Sequence, residues 1–214
     1  IVGYLDQVVT TDGGGKPQNK VAVISGGAVK ASYAKCHLPN YGVFDEYRNF
    51  APGNETLVVR IHGVDVGIAI CEDLWIDGGI TAQLAARKPG LVIVPNGSPY
   101  ERNKDDVRLS LVTQRARQAA APLVYVNMTG GQDDLVFDGD SIVVSAAGDV
   151  IARAPQFEDG IMLVDIDVAT RTSTPDVTIS EDEVVLDRTL VPGIAARLSD
   201  EEEMWNAIVV GLRD

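Results

Sequence analysis

The sequence predicts an α/β fold on three observations. Short apolar runs of strand length alternate with stretches of helical periodicity, the pattern of layered α/β proteins. Several of those runs are apolar at every position, as strands are when both faces of their sheet are covered. Others fold back through glycine-containing turns as hairpins. At 214 residues the chain fits one domain with a short tail.

The elements follow in order. Ile1–Leu5 reads as a short strand, followed by a Gly-rich loop over Asp12–Gly15. Lys20–Ile24 and Val29–Lys35 form a hairpin about Ser25, Gly26 and Gly27. Leu38–Gly42 is a loop by its Pro, Asn and Gly. A second hairpin joins Leu57–Ile61 to Val64–Ile70 through His62 and Gly63, and its returning strand runs into Cys71. Gly79–Arg87 reads as a helix and Leu91–Val94 as a buried strand.

Asn103–Ala120 reads as a second helix, with Leu109, Val112, Ala116 and Ala119 on one stripe. Asn103 can cap it, and Asp105 and Asp106 suit the positive end of its dipole. Leu123–Asn127 is another buried strand, and Ser141–Ser145 with Val150–Ala154 a third hairpin. Ile161–Ile166 is expected to close the strand series. The Thr-, Asp- and Glu-rich stretch that follows, roughly 168–198, reads as an extended surface excursion. Ser199 and Glu202 form a capping box for a last helix, whose stripe is Trp205, Ile208, Val209 and Leu212.

Charge narrows the function classes. A net charge of −13 repels nucleic-acid phosphates and anionic lipid, so neither is an expected partner. No apolar run approaches the roughly 20 residues that span a bilayer. Two cysteines, Cys36 and Cys71, make no disulfide framework, and a reducing cytoplasmic setting is the expectation. The cysteines and the two histidines show no metal-ligand spacing.

The most informative segment is Gly67–Trp75, where an apolar strand delivers Cys71 and then Glu72 and Asp73. A strand end is rigid enough to hold a thiol in a pocket, and the thiolate is the nucleophile once a base or cation generates it. By itself a cysteine there is more often a small buried hydrophobe. Three further segments change that: Tyr33–Glu46, with Lys35 and Leu38-Pro39-Asn40-Tyr41-Gly42; Asn96-Gly97-Ser98-Pro99-Tyr100; and Gly130–Ser141. Together, and in this order, they resemble the amidase domain of glutamine-dependent NAD synthetases, in the nitrilase superfamily.

The resemblance implies a four-layer α-β-β-α sandwich over 1–167 that is incomplete at its N-terminus, with 199–214 beginning a linker helix. It implies Cys71 as nucleophile, Lys35 as the catalytic lysine and Glu46 as a second glutamate that helps to orient the lysine or the substrate. It implies glutamine contacts at Tyr41, Ser98, Lys104 and Glu72. Lys104 would pair with the substrate carboxylate and Glu72 with its ammonium. An ammonium beside the thiol would lower its pKa and stabilise a tetrahedral oxyanion. The Gly130–Ser141 segment is expected near the site and the domain interface, although its composition alone reads as a surface loop.

The expected reaction is release of ammonia from L-glutamine through a Cys71 thioester. This domain is expected to need no cofactor. ATP and Mg²⁺ would serve a separate synthetase domain, which uses the ammonia to convert deamido-NAD to NAD. A homo-oligomer is expected. The resemblance also implies a general-base glutamate before Lys35, yet residues 1–34 contain none. The chain is therefore expected to lack the opening of the amidase fold and the synthetase domain, and to be inactive by itself. Two other readings stand beside this one: a stand-alone nitrilase or ω-amidase, and a catalytically silent interaction module.

Overall fold

The computed structural model describes residues 1–7, 15–102, 104–184, 190–191 and 193–214. The expected cap Asn103 and most of the Gly-rich loop (12–14) lie outside them. Two sheets share the core. The first is three-stranded and antiparallel, in the order β1 (Val2–Gln7), β2 (Pro17–Ser25), β3 (Ala28–Ala34). Its inward residues Val21, Val23 and Tyr33 join the main hydrophobic cluster.

The second sheet has seven strands. β4 (Leu57–Ile61) and β5 (Val64–Ile68) pair antiparallel through the left-handed turn at His62 and Gly63. β6 (Leu91–Asn96) and β7 (Leu123–Asn127) run parallel to β5. Parallel strands need crossovers, supplied here by α2 (Ile80–Ala86) and α3 (Lys104–Ala119). β10 (Ile142–Val144) and β11 (Val150–Arg153) extend the sheet antiparallel beyond β7. β12 (Val177–Thr178) adds to the far edge, parallel to β4. The all-apolar runs earn their burial: Val58, Val59, Ile68 and Val94 are fully enclosed.

Ile161–Ile166 is not a strand. Its apolar run meets no neighbouring ladder among the described residues, and Ile161 is 92% exposed. Conversely, Gly130–Ser141 is no plain loop. It holds the hairpin β8 (Thr129–Gln132) and β9 (Leu135–Asp138), which packs on α4 (Asp200–Arg213). The Ser199–Glu202 capping box of α4 forms, but the stripe at Trp205, Ile208, Val209 and Leu212 faces outward; Glu203 and Val210 are its buried residues.

The surface excursion is tied down by charge. Arg60 grips the buried Asp65 at 2.8 Å, and Asp65 also accepts from the Ser173 amide. Asp176 accepts from Arg87 at 2.7 Å and from the Val58 amide at 2.8 Å. Burial alone would raise both carboxyls, but the arginine and amide donors win and hold both below their ordinary value. Groups depressed in the folded state add stability that is complete above the unfolded pKa and is lost as pH falls through the lowered one. The segment 173–179 is therefore expected to gain hydrogen exchange below about pH 4 while β6 and β7 stay protected. Simultaneous loss of protection in all three would contradict this anchoring.

Candidate active site

Ligand sites in open α/β sheets lie beyond the carboxyl ends of parallel strands. Here β5 leads to Cys71 and β6 leads to Ser98. Cys71 opens a 3₁₀ turn (Cys71–Leu74) with a left-handed φ of 44°. A non-glycine residue there is strained by roughly 1–3 kcal/mol and persists only where its surroundings impose it. They do: Ile70 N–H donates to the Asp73 carboxylate at 3.0 Å, and Arg115 of α3 donates to the Leu74 carbonyl at 2.6 Å.

Lys35 follows β3 directly. Its amide donates to the Asn19 carbonyl, and its own carbonyl accepts from Gly53 N–H at 2.8 Å. Gly53 must stay glycine, because a Cβ would lie 2.3 Å from the Ala34 carbonyl oxygen. The Lys35 ammonium is 1% exposed and meets both oxygens of Glu46, at 2.7 and 2.8 Å. Glu46 begins α1 (Glu46–Asn49), a single turn.

A cleft of about 370 Å³ opens beside the sulfur. Of the seven residues expected at the site, Cys71, Tyr41, Glu72, Ser98 and Lys104 line it; Lys35 and Glu46 do not. Tyr41 donates to Glu72 at 2.9 Å and stacks edge-on against Phe44, 5.8 Å between ring centres. Lys104 is paired with Glu101 at 2.5 Å. The Ser98 hydroxyl accepts from Arg108 at 3.3 Å, and its backbone is gripped by Asn127 at the end of β7. The structure adds Phe44, Trp75, Glu101, Arg102 and Val107 to the lining. Phe44 and Trp75 sit in the quoted motifs, where an aromatic beside a nucleophile was the available signal.

Electrostatics corrects one expectation. Burial pushes the Cys71 thiol above its ordinary value; Lys35 pulls it down, but Glu46, Glu72 and Asp73 push it back up. The net direction is up, so the ammonium alone does not leave the sulfur ionised at neutral pH. Burial also raises the Glu72 carboxyl, against the Tyr41 hydrogen bond and Lys35. A thiol beside a buried ammonium, lining a cleft of aromatic and charged side chains, can undertake acyl transfer once a base takes its proton. Among the described residues, no group of three or more His, Cys, Asp or Glu is placed to hold a metal ion, and no helix is long and apolar enough to cross a membrane.

The chain is similar to known proteins. The chain is 38% identical over 211 residues to the glutamine-dependent NAD(+) synthetase of Aquifex aeolicus, covering 92% of this chain and 37% of that protein. Identity to the Thermotoga maritima protein of the same name is 37%, with the same coverage. The chain thus spans little more than a third of these curated relatives.

The solved glutamine-dependent NAD+ synthetase of Acinetobacter baumannii, in complex with ADP, superposes with a TM-score of 0.77 at 34% identity, over 99% of this chain and 36% of that one. An amidase of the nitrilase superfamily from Nesterenkonia sp. AN1 superposes at 0.61 with 27% identity, over 72% of this chain and 55% of that one; in one structure the acetamide moiety of fluoroacetamide is covalently added at its active-site cysteine. The fold is accordingly nitrilase-like α/β. Residues 1–176 match the carbon-nitrogen hydrolase family, and the chain belongs to it.

Proposed function

We propose that this chain is the glutamine-hydrolysing part of a glutamine-dependent NAD synthetase. One observation carries the chemistry: the buried Lys35–Glu46 pair accompanies a buried cysteine that opens onto a cleft lined by aromatic and charged side chains. Similarity to synthetases over 92% of the chain supports glutamine as the amide.

In the proposed reaction the Cys71 sulfur attacks the δ-carbonyl carbon of glutamine as its proton passes to a base. Lys35 stabilises the tetrahedral oxyanion, held in place by Glu46. The carbon–nitrogen bond breaks, the protonated nitrogen leaves as ammonia, and a thioester remains. Water then adds to the thioester, releasing glutamate and returning the proton to sulfur. At the far end of the cleft, Glu72 takes the substrate ammonium. Lys104 leaves Glu101 for the substrate carboxylate, Tyr41 forms a wall, and Ser98 donates its hydroxyl hydrogen. ATP- and Mg²⁺-dependent conversion of deamido-NAD to NAD is assigned to a synthetase domain of the same cytoplasmic homo-oligomer.

A glutamine-like diazo-ketone tests the reading on this chain. The label is expected on Cys71 and not on Cys36, with protection by L-glutamine but not by acetamide or butyramide. Equal protection by the simple amides would shift the assignment to a stand-alone amidase. Labelling that ignores every amide, or none at all, would leave a silent module.

A further inference from the structure

The reaction needs the Lys35 ammonium and the Cys71 sulfur at a set separation, yet they sit on different sheets. We infer that Asp73 is the positioning residue that fixes that separation; the inference rests on the proposed role of Cys71 as nucleophile. Asp73 is fully buried, and its carboxylate takes four donors. One oxygen accepts from the amides of Cys36 at 3.1 Å and His37 at 2.8 Å. The other accepts from the Ile70 amide at 3.0 Å and the Tyr33 hydroxyl at 2.7 Å. Tyr33 and Cys36 flank Lys35 by two residues and one, and Ile70 precedes Cys71. All four donors belong to the two segments that carry the reacting pair.

The sign of the charge argues for geometry. Asp73 raises the Cys71 thiol, which works against forming the thiolate. Burial likewise raises Asp73 itself, opposed by the Tyr33 hydroxyl and the Ile70 and His37 amides. A buried charge that opposes ionisation of the nucleophile is costly on electrostatic grounds. Its return is the cross-brace: a carboxylate is acceptor-only, so one group can hold both strands by their N–H groups. Asparagine has the same shape but turns an NH₂ toward donors, and cannot span them.

A double-mutant cycle with iodoacetamide tests this, following Cys71 separately from Cys36 by peptide mass spectrometry. An opposing charge nearby is worth at least about one pKa unit, so Lys35→Met is expected to slow Cys71 alkylation at pH 8 by about tenfold. In an Asp73→Asn background the same substitution is expected to slow it less than about twofold, because the ammonium is no longer held against the sulfur. Asp73 acting only through charge or overall stability predicts additivity. An equal effect of Lys35→Met in both backgrounds, including none in either, overturns the inference.

If Asp73→Asn shows no cooperative melt, Tyr33→Phe, which keeps the carboxylate and three amides, takes its place. A reduced Lys35→Met effect there supports the brace and an unchanged one overturns it. No glutamine enters this assay, and alkylation of the sulfur needs no amide bond to break. Failed diazo-ketone labelling with an intact cycle removes the proposed function and leaves the brace; successful labelling with an additive cycle does the reverse.

Discussion

In a full-length glutamine-hydrolysing form of this protein, Lys35→Met is expected to lower kcat for glutamine hydrolysis by about 100- to 1,000-fold, the usual cost of one oxyanion donor. KM should change far less, because Lys35 is not among the cleft-lining residues proposed to hold the amino-acid end. The pH profile should shift too. The Cys71 thiol is already raised by burial, and Lys35 is the one large influence pulling it down. Without that cation the folded-state pKa moves further up, so the ascending limb of kcat/KM moves to higher pH. The deficit should then be deepest near neutrality and shrink as pH rises. Glu46→Gln is the control. It keeps a hydrogen-bond acceptor for the ammonium and removes a carboxylate that raises the thiol, so a smaller loss and no upward shift are expected. A Lys35→Met enzyme within about threefold of the parent kcat would remove Lys35 from the oxyanion role.

Much of this site was legible in the sequence because its parts sit at ends of regular elements. The apolar run before Cys71 reads as a strand whatever its family, and the Ser98 loop follows an equally clear strand. Periodicity sees such runs because their burial is nearly complete. It misled at Ile161–Ile166, where a nearly continuous apolar run is present but no neighbouring strand is; a strand's stability lies in its ladder, which local sequence does not encode. It was blind to β8 and β9, since two glycines inside β8 and two aspartates at the turn hide the pattern, and the hairpin packs on α4, some 70 residues away in sequence. The exposed stripe of α4 is the same lesson reversed, because periodicity says which residues share a face and not whether anything covers it.

Charge was the least legible property. Nothing in the sequence of a chain this acidic marks Asp73, Arg108, Asp138 and Asp140 for burial, and all four are buried. What fixes them is partners from distant segments. The Gly130–Ser141 motif was quoted for its resemblance, but its physical content is that Asp138 and Asp140 face Arg108 and Arg153. The net direction at Cys71 was hidden for the same reason: Lys35 does pull the thiol down, as expected, while the sign depends on burial and three carboxylates that only the fold brings together.

Arg108 is where that hidden charge should have its largest effect on stability. Its guanidinium is fully buried and makes four hydrogen bonds: to Asp138 at 2.6 Å, to the carbonyls of Ser98 and Pro99 at 3.0 and 2.9 Å, and to the Ser98 hydroxyl at 3.3 Å. Arg108→Met preserves the length of the stem but strands the Asp138 carboxylate, one of whose oxygens already lacks a partner. Breaking one side of a buried pair costs about 3–5 kcal/mol, which in a chain of this size lowers Tm by roughly 6–20 °C. Most of that cost is the unpaired charge and not the lost bonds, so adding Asp138→Asn to Arg108→Met should recover about half or more of the drop. The lost bonds would remain visible at the site. With nothing on its carbonyl or hydroxyl from α3, the Ser98 loop should be looser in the double variant, seen as faster hydrogen exchange over 97–102 at a Tm near that of the parent. If single and double variants melt within about 2 °C of each other, the uncompensated carboxylate is not what the arginine is there to neutralise, and the guanidinium serves the loop alone.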